Sequence, residues 1–340
     1  MPTEAKRCFR LALATALAVI GGFGTAIDMP YLAPLFAVLV GIGGAPPMGL
    51  GKVIPLTLVV TLVLGTGVWL APLVEGFPVT GLLLVAVGVA ISAWFSVGTA
   101  NAAIGSLLAA GITLVSGFGV VSLALAQSLV SSMGMAFLIA LLAYWAAYQC
   151  FPNPVHETVA ATEAVETSRD VHSLRSVMLV MPAYLFFLIN PLGHAPVMLK
   201  TVALSTNDSA KDTRLAAREL LAATALGGFL GISVWIVLRF SPTLWMLTVW
   251  CALVMLFIGR HVYLHRGSND VSLFWKDVGV TFFLILGPAL ADTTTGKDPY
   301  QAFAFRFGML FGAAIYVVFV SFLLESVLGQ KAVASQGQTY

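Results

Sequence analysis

Arg306 is a positive charge placed among aromatic residues in an otherwise apolar stretch of the chain. Its nearest aromatic neighbours in the sequence are Phe303, Phe305 and Phe307. A guanidinium group can bind a carboxylate through two parallel hydrogen bonds, and the rings could contact an aromatic ligand. Because arginine keeps its proton in proteins, Arg306 would anchor an anion and would not relay protons. The alternative is a structural role, in which the side chain extends to the membrane surface or pairs with Asp292 or Asp298.

Two side chains that can exchange protons lie next to short apolar segments. Asp28 stands two residues before Pro30, and His194 stands three residues after Pro191. Histidine changes charge near physiological pH, so His194 is a candidate for proton coupling and for contact with a substrate carboxylate, and Asp28 is a second coupling candidate. The alternative is again structural, since Asp28 and Asn190 have the type and position of residues that cap a helix start.

Two further residues of these segments complete the candidate site. Lys200 lies inside the second segment, either as an intramembrane cation that helps to bind substrate or with its charge reaching the cytoplasmic surface. Tyr31 begins the first segment and is added as a substrate-binding candidate.

The composition requires a membrane protein. Hydrophobic residues are 59% of the 340 residues and charged residues 9%, with a mean hydropathy of +0.96. Soluble domains carry about 25% charged residues, so this chain cannot cover a water-facing surface. The short loops leave no room for a separate catalytic domain, and neither a Walker loop nor metal-ligand spacing of the three cysteines occurs. We therefore expect no enzyme, no cofactor or metal, and no nucleic-acid partner.

Three short signatures in the first half of the chain recur in the same order in the second. They pair residues 33–34 with 195–196, 64–69 with 230–235, and 133–135 with 307–309. Together with apolar runs of about 20 residues, they predict an all-α integral membrane protein of about twelve transmembrane segments in two parallel six-span repeats. The predicted domains are the first repeat 1–151, a cytoplasmic linker 152–172, the second repeat 173–328 and a cytoplasmic tail 329–340.

Lysine and arginine are distributed unevenly between the two predicted sides. With a cytoplasmic N-terminus, all but three of the 17 fall on the cytoplasmic side; the exceptions are Arg239, Lys297 and Arg306. Cytoplasmic loops carry the excess of positive charge in membrane proteins. Both termini are therefore predicted to be cytoplasmic, and the even number of spans in each repeat makes the repeats parallel.

The second span of each repeat is too short to cross a bilayer as a full helix. About twelve apolar residues, 31–42, precede a run rich in glycine and proline, and the segment 195–204 is equally short. At about 1.5 Å per residue neither covers an apolar core of about 30 Å. Corresponding short segments in two halves point to a transport site. The alternative is two full helices whose ends are shaped by proline.

Three features of the sequence carry a family resemblance. They are the basic starts of the repeats at Arg10 and Arg175, the Tyr31-Leu-Ala-Pro segment and the Leu64-Gly-Thr-Gly segment. With the two-repeat plan, the chain resembles the fusaric-acid-resistance superfamily of bacterial inner-membrane proteins, which includes the aromatic acid exporters. It looks most like the short branch without a large cytoplasmic domain. Residues 62–64 depart from the pattern, because an arginine expected there is replaced by apolar residues.

This resemblance implies proton-coupled export of small, often aromatic, carboxylic acids or drugs across the bacterial inner membrane. It also implies a periplasmic adaptor of the membrane-fusion type and an outer-membrane channel as partners, besides the lipid bilayer. We therefore predict an efflux transporter for anionic, aromatic or amphipathic acids. A passive anion channel and a non-transporting membrane scaffold of an adaptor complex stay open as alternatives, as does assembly into a homo-oligomer.

Overall fold

The computed structural model of the protein describes residues 3–25, 27–42, 46–98, 102–152, 169–205, 213–264, 269–295 and 299–336. The helices are α1 Thr3–Gly24, α2 Leu32–Ile42, α3 Leu50–Gly76, α4 Pro78–Gly98, α5 Ala102–Ala110, α6 Ser116–Val121, α7 Leu123–Cys150, α8 Arg169–Ile189, α9 Pro191–Ser205, α10 Thr213–Leu238, α11 Leu244–Leu264, α12 Asn269–Thr295 and α13 Pro299–Gln336. A π-helical turn, Gly111–Val115, joins α5 to α6. These ranges contain no β-strand, so the predicted all-α class is confirmed for them.

Seven of the described helices are long and apolar enough to cross a membrane. They are α1, α3, α4, α7, α8, α10 and α11, with apolar stretches of 18 to 28 residues. A transmembrane helix needs about 20 such residues, so the chain has the helices of a multi-pass membrane protein. The larger number of about twelve spans stays a prediction.

Helix α3 exposes large apolar side chains. Ile54, Leu62 and Trp69 are 70%, 65% and 83% exposed. Proteins in water rarely expose contiguous apolar surface of this kind. A helix that is apolar on all sides is stable where its neighbours are lipid chains or other apolar helices. The exposed apolar side chains of α3 therefore agree with a membrane protein.

The second helix of each predicted repeat is short. Helix α2 has 11 residues and α9 has 15, which correspond to about 16 Å and about 22 Å along the axis. Both lengths, which refer to the described residues, fall below the apolar thickness of a bilayer, about 30 Å. The residues that follow, 43–45 and 206–212, lie outside the described ranges.

One compact unit of the structure comprises Met1–Gly65, Ala124–Glu163 and Ala222–Phe307. Within it, α1 packs against α2 and α11, and α12 also packs against α2 and α11. Helices α1 and α2 are the first and second segments of the first predicted repeat. Helices α11 and α12 are the fourth and fifth segments of the second repeat.

The other compact unit comprises Thr66–Leu123, Ala164–Leu221 and Gly308–Tyr340. Within it, α8 packs against α9 and α4, and α5 also packs against α9 and α4. Here the first and second segments come from the second predicted repeat, and the fourth and fifth come from the first. Each unit therefore takes helices from both sides of the predicted linker 152–172. The predicted repeat boundaries along the chain stay a prediction.

Candidate functional site

Tyr31 is positioned by the tight connection between α1 and α2. The Thr25 N–H donates to the Gly21 carbonyl at 3.1 Å, and the Ala33 N–H donates to the Pro30 carbonyl at 3.3 Å. A side chain at Gly22 would overlap the Pro30 carbonyl oxygen, so glycine is needed for this approach. The connection places Tyr31 immediately before the first turn of α2.

The ring of Tyr31 lies against the backbone of α12. A Cβ atom added to Gly287 would overlap Cβ and Cγ of Tyr31. The Tyr31 hydroxyl donates to Met29 Sδ at 3.8 Å. An apolar cavity of about 10 Å³ borders Tyr31, Phe283 and Cys251. That volume holds about one water molecule, so an aromatic ligand would need side chains or α2 to move.

Arg306 lies near Tyr31 in the same unit. The two residues are close enough for the Arg306 charge to act on the Tyr31 phenol. The phenylalanines next to Arg306 in the sequence have different surroundings. Phe307 packs against Gly228 of α10, whereas Phe305 is 53% exposed. The aromatic wall of Phe303, Phe305 and Phe307 stays a prediction. The side chain of Phe303 lies outside the described residues.

Asp28 and Asn190, which look alike in the sequence, have different partners. The Asn190 Oδ1 accepts from the Gly193 N–H at 3.1 Å and caps the start of α9, as its position before Pro191 predicts. The exposed Asp28 carboxylate instead accepts a hydrogen bond from the Ser128 hydroxyl of α7. Helix α2 begins at Leu32, four residues beyond Asp28, because an intervening turn separates the two.

His194 lies in the first turn of α9, in the other compact unit. Its ring stacks on Phe186 with centroids 4.1 Å apart and planes inclined by 7°. The Nδ1 atom is 2.9 Å from the Phe186 carbonyl oxygen. The ring is buried, with 9% of its surface exposed. The backbone of Lys200 belongs to the same helix, and its side chain lies outside the described residues.

Thus the structure brings Tyr31 and Arg306 together and also places Asp28 in their unit, while His194 and Lys200 belong to the second unit. Within the described residues, no group of three or more His, Cys, Asp or Glu side chains is placed to hold a metal ion.

The sequence did not reveal the surroundings of Arg10, which is 1% exposed. Its guanidinium lies 4.8 Å from the ring centroid of Tyr148 and 5.7 Å from that of Tyr144. It also donates to the Phe151 carbonyl at 3.5 Å. Desolvated cations over aromatic faces are stabilised by about 2 kcal/mol. The four-residue spacing of Tyr144 and Tyr148 on one helix face was the signal available in the sequence.

A second feature that the sequence did not reveal is a buried polar pair beside the π-helical turn. The hydroxyl oxygens of Ser116 and Tyr184 are 2.8 Å apart, and both residues are fully buried. A side chain at Gly67 of α3 would overlap the Gly111 carbonyl, so α3 approaches the turn closely. π-Helical turns are frequent at functional sites.

Residues 7–146 of the chain are similar to a family described as a protein of unknown function (DUF2955). The match runs from α1 into α7 and therefore covers most of the first predicted repeat. No curated protein and no solved structure matches the chain.

Proposed function

We propose that this protein is an exporter of small aromatic or amphipathic carboxylic acids, located in a bacterial inner membrane and built from two parallel six-span repeats. The long apolar helices support the membrane location. The finer elements of the proposal rest on the helix packing and on the residues around Arg306.

The helix packing supports the duplication. In each compact unit, segments one and two of one repeat pack with segments four and five of the other. A chance arrangement of unrelated helices would have no reason to repeat this pairing. The family similarity, which covers most of the first repeat, agrees with a unit of that length.

Close contacts between the third and sixth segments repeat as well. A side chain at Gly134 of α7 would overlap Thr61 of α3, and one at Gly228 of α10 would overlap Phe307 of α13. The position of Gly134 corresponds to Gly308 in the aligned signatures, next to Phe307. In each predicted repeat, a glycine on one of these two helices therefore leaves room for a larger side chain of the other helix, at corresponding positions of the two repeats. Such small residues allow membrane helices to approach closely.

The observation that carries the proposed activity is that Tyr31 and the segment of Arg306 approach the same part of α12: Tyr31 packs on Gly287, and Phe307 packs on Gly228 next to Ile285. A charged residue in a membrane segment is costly and is usually retained for function. The arginine would bind the substrate carboxylate through two hydrogen bonds, and the Tyr31 ring would contact the apolar part of the substrate. Lys200 would add positive charge on the substrate's way from the cytoplasm.

The proposed anion anchor occurs in one repeat only. Aligning the signatures places Ser132 opposite Arg306 and Gly193 opposite Tyr31. Tyr31 therefore belongs to the first predicted repeat and Arg306 to the second, and neither residue has a like counterpart in the other repeat. Next to Gly193, the second repeat carries His194, which together with Asp28 is proposed to couple export to protons. The adaptor and the outer-membrane channel are proposed as partners on the resemblance described above.

Transport by the purified protein in proteoliposomes tests this function. With radiolabelled benzoate and an opposing proton gradient, uphill movement is expected for the wild type, measured against protein-free vesicles. Arg306→Ala should raise the KM for benzoate by about 10- to 100-fold, because a charge-assisted hydrogen bond contributes about 1.5–3 kcal/mol. Arg306→Lys should give a KM between those of the wild type and Arg306→Ala, because lysine keeps the charge but lacks the planar guanidinium group.

The matched control is Arg239→Ala. Arg239 is also predicted to lie on the outer side and stacks over Trp235 at 5.3 Å, but it is exposed, whereas Arg306 is half-buried. Unchanged transport by Arg306→Ala, or an equal loss in Arg239→Ala, would remove the anchor from the proposal. Equal benzoate movement with and without the gradient would instead indicate a passive channel, and no movement would favour a scaffold.

A further inference from the structure

His194 has a defined tautomer in the structure. Its Nδ1 atom faces the Phe186 carbonyl oxygen at 2.9 Å, and a carbonyl oxygen only accepts hydrogen bonds. The Nδ1 atom must therefore carry the hydrogen when the ring is neutral. The other nitrogen, Nε2, is then the atom with a free lone pair, and protonation of the ring takes place there.

The join between α8 and α9 produces this geometry. The Asn190 N–H donates to the Phe187 carbonyl at 3.2 Å, which leaves the Phe186 carbonyl available at the end of α8. Asn190 then caps α9 through the Gly193 N–H, and its own carbonyl accepts from the His194 N–H at 2.9 Å. The first turn of α9 is thereby fixed with the imidazole over Phe186.

The elements packed against α9 bring few other ionisable groups to this corner. Helices α5 and α6 and the π-helical turn contain none, from Ala102 to Val121. Helix α8 carries Arg169, Asp170, His172 and Arg175 in its first two turns. Arg175 is separated from Phe186 by about 16 Å along the helix, and Lys200 from His194 by about 9 Å. Tyr184 is hydrogen-bonded to Ser116. His194 is therefore the imidazole at this corner, held by Phe186.

We propose that Phe186 and Asn190 are positioning residues that hold His194 with hydrogen on Nδ1, so that Nε2 takes the coupling proton from the outer side. This inference rests on the proposed function for the coupling step. Protonation converts the neutral ring to an imidazolium with hydrogen on both nitrogens, and the charged ring remains stacked on Phe186, where a cation is stabilised. Release of the proton from Nε2 restores the starting tautomer.

Nitrogen NMR of the imidazole groups tests the tautomer without any transport assay. The full chain, labelled with nitrogen-15 histidine and held in lipid nanodiscs, contains five histidines, and His194→Asn identifies the signals of His194. At high pH, Nδ1 is expected to be protonated and Nε2 free, with the Nε2 signal moving on acidification. His261 provides an internal comparison, because its Nδ1 faces the Phe257 carbonyl at the same 2.9 Å. A hydrogen on Nε2 of neutral His194 would overturn the proposal.

The pH profile of benzoate export tests the role of Nε2. Where one proton is required, the rate should fall about tenfold per pH unit above the midpoint. His194→Asn keeps a donor near the Phe186 carbonyl but has no titrating atom, so its rate should become independent of outer pH. Asn190→Ala should loosen the first turn and shift the midpoint, whereas Asn190→Asp keeps the cap and should preserve it.

The two proposals fail in different ways. An unchanged pH profile in His194→Asn would overturn the role of Nε2 while the effect of Arg306→Ala on the KM could still stand. Conversely, a KM that is insensitive to Arg306 would remove the substrate anchor, and the NMR result for His194 would be unaffected.

Discussion

At the scale of single residues, two arginines of the same unit have different surroundings. Arg10 is buried, and its charge is enclosed by Tyr144, Tyr148 and the Phe151 carbonyl, so it holds helices together. Arg306 is half-buried, and we propose that it binds the substrate. The two arginines look similar in the sequence, each near aromatic or apolar residues, and only their partners distinguish them.

A double-mutant cycle on Arg10 and Tyr148 tests this distinction. Arg10→Gln and Tyr148→Leu should each destabilise the protein, because each removes the same contact between the guanidinium and the ring. The coupling free energy between the two substitutions should be about 1–2 kcal/mol. Thermal unfolding in detergent measures the change. Tyr148→Phe keeps the ring and should be neutral. A coupling near zero would mean that the ring does not stabilise the guanidinium.

At the scale of elements, the sequence anticipates the helices better than their contacts. The shortness of α2 and α9 and the cap at Asn190 follow from local patterns of apolar residues and from the residue before proline. Asp28 does not follow the same rule, because its partner Ser128 comes from α7, far along the chain. Local signals could not predict such a contact. The spacing of Tyr144 and Tyr148 places the two rings on one helix face, but it does not indicate that Arg10 of another helix lies against them.

The contact between α2 and α12 at Tyr31 and Gly287 gives an element-scale prediction. Gly287→Ala places a methyl group where Tyr31 lies, so Tyr31 must move, at a cost of about 1–3 kcal/mol for overpacking. The displaced ring should also raise the KM for benzoate. Gly312→Ala in α13 is the matched control, because no atom lies near its added Cβ and alanine favours the helix. Unfolding temperature and KM measured together check both effects, and equal behaviour of the two variants would contradict the close packing.

At the scale of the whole molecule, the two compact units do not coincide with the two halves of the chain. Each unit contains the first and second segments of one predicted repeat and the fourth and fifth segments of the other. A half expressed alone therefore lacks the helices that α1 and α2, or α8 and α9, pack against. The apolar faces left open would be large, and in a membrane the packing between helices, not the hydrophobic effect, selects the partner.

A chain divided within 153–168 tests this exchange of helices between units. The fragments 1–152 and 169–340 should each be sensitive to protease when expressed alone, because the pairs α1 with α11, α2 with α12, α4 with α8 and α5 with α9 join the two fragments. Expressed together, they should copurify and recover benzoate transport. The contacts of Arg10 with Tyr148 and Phe151 lie within the first fragment. Arg10→Gln should therefore lower the stability of that fragment without abolishing copurification. A protease-resistant single fragment would show that each repeat folds by itself, and the exchanged packing of α1 with α11 and of α4 with α8 would then be wrong.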